Sequence, residues 1–115
     1  MAQRCISQET LETTGFSYTL SLINGKYKMT ILYTLMEFGV VRFNEYIGSI
    51  SYKTLSAMLK ELEEDQLIHR EEYPQIPPKV EYSLTERGRS LIPILDGMCE
   101  WGDQHWIIEA EKQIL

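Results

Sequence analysis

Cysteine is scarce in this sequence, which contains only Cys5 and Cys99, 94 positions apart. Their spacing matches neither the close ligand pairs of a zinc site nor the framework of a disulfide-rich secreted protein. We therefore expect a reducing compartment and no metal.

Long apolar runs are also lacking. The longest, residues 29–41, contains Glu37 and is shorter than the roughly 20 apolar residues that cross a bilayer. The first ten residues lack the apolar stretch of a secretion signal. The sequence therefore predicts a cytoplasmic protein with no membrane partner. Its 115 residues suit one domain.

No set of catalytic residues emerges. His69 and His105 have no neighbours in sequence that indicate a triad or a metal site, and Gly25-Lys26 alone is not a phosphate-binding loop. The acidic run at 61–65 is typical of a solvated surface. We expect a protein that is not an enzyme and that carries no cofactor.

Positive charge is in deficit, with 11 Lys and Arg against 17 Asp and Glu and a formal net charge of −6. An acidic total argues at first sight against binding to nucleic acid. The excess is uneven, however. Residues 90–115 hold five acids against Lys112, whereas residues 42–60 hold three cations against Glu45. The centre of the chain is thus free to carry a local basic face.

Apolar residues at helical spacing predict four helices before any strand. The first ends near Asn24-Gly25, the second ends at Gly39, the third covers about 42–47, and Ser51 caps the fourth. The core-facing residues of the second and fourth helices are expected to be Met29, Ile31, Leu32, Leu35, Met36, Phe38, Leu55, Met58, Leu59 and Leu62.

A hairpin and a final helix are predicted next. After Leu67 the apolar period changes to two, which indicates two strands joined across the proline-containing segment 73–79. Thr85 then caps a helix in which Pro93 causes a kink or marks a restart. The fold class is mainly α with a small β-hairpin (α+β), in the element order of a winged helix-turn-helix.

The fourth helix, within residues 50–68, has its acids at the unfavourable end. They begin only at Glu61, although carboxylates near a helix C-terminus cost a few tenths of a kcal/mol each. An acid-free start suits insertion beside DNA phosphates. Irregular surface charge is the other interpretation.

Four stretches resemble the HxlR-type family of bacterial transcriptional regulators, which are small MarR-like winged-helix dimers. They are INGKYKMTIL at 23–32, RFNEYIGSISYKTLSAMLKELEEDQLIHRE at 42–71, PPKVEYSLTERGRSL at 77–91, and Trp101-Gly102. The resemblance implies a homodimer on a palindromic operator of double-stranded DNA, with repression favoured over activation. It also implies a single domain made of an N-terminal arm at 1–17, a helix-turn-helix at 42–65, a wing at 67–84 and C-terminal dimerisation helices at 85–115.

Ten residues are predicted to contact DNA. Lys53 is suited to donate to guanine O6 and N7, whereas the remaining cations are suited to phosphate. Tyr52 either contacts DNA or fills the core beside Leu55. The ten residues are Arg42, Ser51, Tyr52, Lys53, Thr54, Ser56, Ala57, Lys60, Arg70 and Lys79.

The signal is expected to be redox or electrophile stress, because some family members sense oxidants, quinones or aldehydes through a cysteine. Thr14-Gly15 stands where the family's Cys-Pro pair would fall. Cys5 is the candidate sensor, since terminal thiols are usually exposed and Arg4 favours the thiolate. An incidental cysteine is the alternative. The effector, a small molecule or an oxidant, is left open.

Pairing with a second copy is predicted because the chain's last helices carry more apolar residues than one small domain buries. Leaving them in water costs about 25 cal/mol per Å² of apolar surface. Cys99 is expected to pack at this interface. The predicted interface residues are Leu91, Leu95, Met98, Trp101, Trp106 and Ile108.

The competing hypothesis for the function of the protein is a winged-helix protein-interaction module that does not bind DNA, which the acidic total would suit.

Overall fold

The elements of the chain are seen in a computed structural model, which describes residues 14–43 and 50–114, with side chains up to residue 106. They are α1 (Gly15–Ile23), α2 (Lys26–Phe38), β1 (Val40–Val41), α3 (Tyr52–Glu64), β2 (Ile68–Tyr73), β3 (Lys79–Leu84), α4 (Glu86–Arg89) and α5 (Ile92–Ile114). Of the third helix predicted at 42–47, residues 44–47 lie outside the described residues.

Hydroxyl caps begin three of the helices. Thr14, Ser51 and Thr85 each accept, through the side-chain oxygen, the backbone N–H three residues further on, at 2.9 to 3.2 Å. A cap of this kind stabilises a helix by about 1 kcal/mol. The caps on α3 and α4 are those predicted from the sequence. The first cap starts α1 at Gly15, three residues inside the arm predicted at 1–17.

Glycines with positive φ mark the two predicted helix ends. Gly25, with φ of 101°, separates α1 from α2, and Gly39, with φ of 79°, follows the last residue of α2. A side chain is strained in this region of backbone space, which is why glycine is used there. Both predicted stops are confirmed.

The sheet has three antiparallel strands in the order β1-β3-β2. In the wing, β2 pairs with β3 from Ile68 opposite Leu84 to Tyr73 opposite Lys79. The outer strand β1 pairs Val40 with Ser83. The predicted two-stranded hairpin is confirmed. The prediction that only helices precede it was wrong, because β1 has two residues and is too short to show a periodicity.

The core lies between α2, α3, the base of the wing and the start of α5. It consists of Ile23, Ile31, Leu32, Leu35, Phe43, Leu55, Leu59, Leu62, Leu67, Ile68, Leu84 and Leu95. The predicted inward face of α3 is confirmed, with Met58 partly buried against this core. Phe38 was expected inside but is 75% exposed, because α2 ends there and the chain turns into β1.

The last helical region is broken rather than kinked. The helix α4 ends at Arg89, and α5 begins at Ile92, so that Pro93 lies in its first turn, where a missing N–H removes no helical hydrogen bond. The predicted restart is confirmed. No helix in the described part of the chain is long and apolar enough to span a membrane. The helices and the projecting β2–β3 hairpin form an α+β winged helix-turn-helix.

Candidate DNA-binding surface

One side of α3 faces solvent and carries small or cationic side chains. Its residues are spaced by three, four and seven positions, so they lie on one side of the helix, opposite the core leucines. No acid lies in the first turn. We call this set the reading face; its members, all exposed, are Lys53, Ser56, Ala57 and Lys60.

The two lysines of the reading face have no ion-pair partner among the described residues. Lys53 and Lys60 are seven residues apart, which is about two turns or 10 Å along the axis. Their ammonium groups are therefore available to an external anion. Tyr52, the first residue of α3, is 77% exposed, so the interpretation that it fills the core beside Leu55 was wrong.

The start of α3 presents hydroxyl and amide groups. Ser51 Oγ accepts the Thr54 N–H at 3.2 Å and donates to Thr54 Oγ1 at 3.0 Å. Both contacts are exposed. Free amides and the positive end of the helix dipole make such a helix start favourable for phosphate.

The acids that follow the reading face have a structural use. Glu61 Oε1 lies 2.7 Å from Nζ of Lys28, a residue of α2 that is only 7% exposed. A buried ammonium needs a counterion, so Glu61 stabilises the contact of α2 with α3. The prediction that this acidic run is merely solvated surface was incomplete for Glu61.

A cleft of about 260 Å³ separates α3 from the wing. The rings of Phe43 and Tyr82 lie in it with centroids 5.9 Å apart. Tyr52 lines the cleft from α3 and Arg70 lines it from β2. The cleft brings together predicted site residues that are 18 positions apart in the sequence.

The cations of the wing are already paired with acids. Arg70 Nη1 lies 3.0 Å from Glu72 Oε1. The pKa of Arg70 is raised most by the Tyr82 hydroxyl and next by the Glu72 carboxylate. Glu81 Oε2 lies 3.3 Å from Lys79 Nζ and 3.9 Å from Arg42 Nε. Residues two apart on a strand share a face. The spacings of Arg70 with Glu72 and of Lys79 with Glu81 were therefore the sequence signal from which these ion pairs could have been predicted.

The side chain of Lys79 lies over the ring of Tyr73, its partner across the two strands of the wing. Its Nζ lies 4.8 Å from the centre of the Tyr73 ring. The same Glu81 carboxylate raises the pKa of Tyr73. The Lys79–Glu81 pair is only partly buried, and surface pairs contribute about 0 to 1 kcal/mol, so a phosphate is able to displace the carboxylate.

The predicted interface residues of the C-terminal helix differ in exposure. Met98, Trp101 and Trp106 are exposed, whereas Leu91 is partly buried and Leu95 is buried in the core of its own chain. Leu95 therefore packs within one chain. The side chain of Ile108 lies outside the described residues.

Helix α1 adds residues to this exposed surface that the sequence analysis missed. Phe16 and Leu20 line a shallow cleft together with Ile94 of α5. Ile94, Met98 and Trp101 follow one another at helical spacing on the same side of α5. We call these five residues, Phe16, Leu20, Ile94, Met98 and Trp101, the apolar face. All five are exposed.

The two cysteines differ in what the structure describes. Cys99 is partly exposed and lines a cleft between α2 and α5 with Tyr33. The Glu37 carboxylate, and to a lesser degree the neighbouring Cys99, raise the pKa of Tyr33. Cys5 lies outside the described residues. Among those described, no group of three His, Cys, Asp or Glu side chains is arranged to hold a metal ion.

Comparison with known proteins places this surface in context. A sequence model described as HxlR-like helix-turn-helix matches residues 22–110. An HTH-type transcriptional regulator of Halalkalibacterium halodurans is 59% identical over 95 residues, which cover 80% of this chain and 84% of the relative.

Two solved structures are also similar to this chain. The redox regulator HypR in its oxidized form has 47% identity and a TM-score of 0.73, covering 79% of this chain and 96% of that one. A MarR-family transcriptional regulator from Enterococcus faecalis V583 has 34% identity and a TM-score of 0.71, covering 91% and 97%.

Proposed function

The chain belongs to the HxlR-like helix-turn-helix family of DNA-binding transcriptional regulators, and we propose that it acts as a homodimer on a palindromic operator and represses the adjacent genes. The observation that carries the proposal is the acid-free reading face of α3, with two lysines that have no ion-pair partner among the described residues. The activity is binding rather than catalysis.

Each part of the surface has a distinct role in this proposal. The reading face enters the major groove, which is about 12 Å wide and admits a helix. Lys53 donates to base edges, and Lys60 contacts phosphate at the rim of the groove. Arg70 and Lys79 exchange their carboxylate partners for phosphates, which fix the register of the wing on the duplex. Further contacts with the DNA backbone come from Ser51, Thr54 and Arg42.

The second copy is supported by the apolar face. Its two aromatic and three aliphatic side chains lie exposed on adjoining helices, and covering them with the same face of another copy removes apolar area from water. A two-fold dimer also places two α3 helices about 34 Å apart, one turn of DNA. A single chain offers only one reading helix.

A redox or electrophile signal is supported by the similarity to the redox regulator HypR. We propose that Cys5 is the reactive thiol and that Cys99, which lines the α2–α5 cleft, takes no part in the response. Diamide is expected to change the affinity of the wild-type protein for its operator. Cys5→Ser is expected to remove this response, and Cys99→Ser to retain it. An equal response in all three proteins excludes Cys5 as the sensor.

The proposed function is tested by gel retardation with the DNA upstream of the chain's own gene. The expected complex weakens steeply between about 50 and 200 mM salt, because bound cations release counterions from DNA. Lys53→Glu is expected to abolish the complex while the unfolding temperature is unchanged. Absence of any salt-sensitive complex with the wild-type protein would favour the protein-interaction module.

A further inference from the structure

The short helix α4 is packed against the end of α3. Thr85 Oγ1 donates to the Gln66 carbonyl oxygen at 2.7 Å, and the Thr85 N–H donates to the Leu67 carbonyl oxygen at 3.1 Å. A Cβ atom at Gly88 would overlap that same Leu67 oxygen. The turn after α3 is thus held in a fixed position by the TERG stretch at 85–88.

Arg87 extends this contact to a third element. Its Nε–H donates to the Asp65 carbonyl oxygen at 3.1 Å, and its Nη2 donates to the Tyr18 hydroxyl at 2.8 Å. Asp65 is the C-cap of α3, where carbonyl oxygens lack helical partners and the helix dipole favours a cation. Tyr18 belongs to α1. The guanidinium of Arg87 therefore joins the end of α3 to α1.

Helix α1 also contributes Phe16 and Leu20 to the apolar face. The guanidinium of Arg87 consequently links the helix that reads DNA to the surface through which two copies pair. Its planar fork holds both acceptors in fixed directions, whereas a lysine ammonium would hold them as a point charge.

We propose that Arg87 is a positioning residue for DNA binding: it fixes the angle between α3 and the apolar face, and thereby the half-site spacing that the dimer accepts. This inference rests on the proposed function, in which two copies bind one operator. It assigns Arg87 no contact with DNA. The effect of Arg87 is therefore on the choice between spacings rather than on binding to each half-site.

The test compares two duplexes. One is the palindrome that the wild-type protein selects from a randomised pool, and the other has one base pair inserted between its half-sites. The insertion rotates one half-site by about 34° relative to the other. The wild-type protein is expected to prefer the selected duplex by about tenfold or more.

Two variants remove the link in different ways. Arg87→Lys keeps the charge and loses the fork, and Tyr18→Phe keeps the ring and loses the acceptor. Each is expected to reduce the preference at least about threefold, with affinity for the inserted duplex rising relative to the selected one. The matched control is Arg89→Lys, because the Arg89 guanidinium donates, among the described residues, to the Leu84 carbonyl oxygen alone. Its preference is expected to equal that of the wild type.

The outcomes are separable. A loss of folding stability lowers the affinity for both duplexes equally, so an unchanged preference in Arg87→Lys and Tyr18→Phe overturns the role of Arg87. A wild-type protein that binds both duplexes equally well overturns it too. If the wild-type protein forms no salt-sensitive complex with any duplex, the proposed function itself fails.

Discussion

Replacing Lys53 by glutamine removes one positive charge from the first turn of α3 in each copy. The side chain is exposed and has no ion-pair partner among the described residues, so folding stability is expected to change by less than about 0.5 kcal/mol. A lost base contact costs about 1 to 3 kcal/mol per half-site. For two half-sites the lower bound of about 2 kcal/mol is roughly 30-fold in Kd.

Lys60→Gln is the matched comparison, because it makes the same chemical change on the same face, two turns further along. Lys60 is proposed to contact phosphate, which carries no sequence information. Each phosphate contact contributes about 0.9 to the magnitude of the slope of log K against log salt. Because Lys60→Gln removes one contact from each copy, the magnitude of the dimer's slope is expected to fall by about 1.8. Its affinity is expected to fall equally for operator and non-operator DNA.

The assay is a fluorescence titration of operator and non-operator duplexes at several salt concentrations. Lys53→Gln is expected to lower the ratio of the two affinities by at least about tenfold, whereas Lys60→Gln leaves that ratio within about twofold. The proposal that Lys53 reads bases is refuted if Lys53→Gln weakens both duplexes alike. If neither variant weakens binding, the reading face does not enter the groove.

The wild-type slope in the same titration reports on the wing. If Lys60 is the one residue that meets a phosphate in each copy, two contacts give a slope of about −1.8. If Arg42, Arg70 and Lys79 also leave their carboxylates for phosphates, eight contacts give about −7. A slope near the lower magnitude would mean that the ion pairs of the wing survive in the complex.

Three further predictions concern stability and assembly. Glu61→Gln is expected to lower the free energy of unfolding in urea by about 1 to 3 kcal/mol, because the buried lysine of α2 loses its counterion, whereas Glu64→Gln changes it by less than about 0.5 kcal/mol. Trp101→Glu is expected to convert a dimer to a monomer in sedimentation, whereas Phe38→Glu, at a residue that is more exposed but lies outside the apolar face, leaves the dimer intact. Gly88→Ala is expected to destabilise the chain by about 1 to 3 kcal/mol in thermal or urea unfolding, because its methyl group meets a backbone carbonyl. An unaltered unfolding midpoint for Gly88→Ala would contradict the close approach of α4 to the end of α3.

The features predicted correctly from the sequence are local ones. A helix cap such as Ser51, or a stop such as Gly39, depends on residues within a few positions, and the apolar spacing of α3 repeats within three turns. These local patterns predict a helix and its ends without knowledge of the tertiary fold. The same holds for the reading face, because its charge pattern and spacing lie within one helix.

The features that were missed join distant residues. The ion pair of Lys28 with Glu61 spans 33 positions, and the hydrogen bond of Arg87 with Tyr18 spans 69. In each case the partner is chosen by the packing of two elements, which no local pattern encodes. The contribution of α1 to the apolar face was missed for the same reason, since only the packing of α1 beside α5 reveals it.

The acidic total of the chain is compatible with DNA binding because no acid lies in the first turn of α3 and several acids near the surface are paired with cations in the free protein. Glu61 is paired with Lys28, and Glu72 and Glu81 are paired with cations of the wing. Unpaired charges beyond about 8 Å are largely screened at physiological salt, so the local face governs the contact with the groove. Non-specific binding is almost wholly electrostatic, and a negative total weakens it. This charge acts on operator and non-operator DNA alike, as the loss of Lys60 does, so replacing the tail acids Asp96, Glu100 and Asp103 by their amides is expected to strengthen binding to both duplexes by a similar factor.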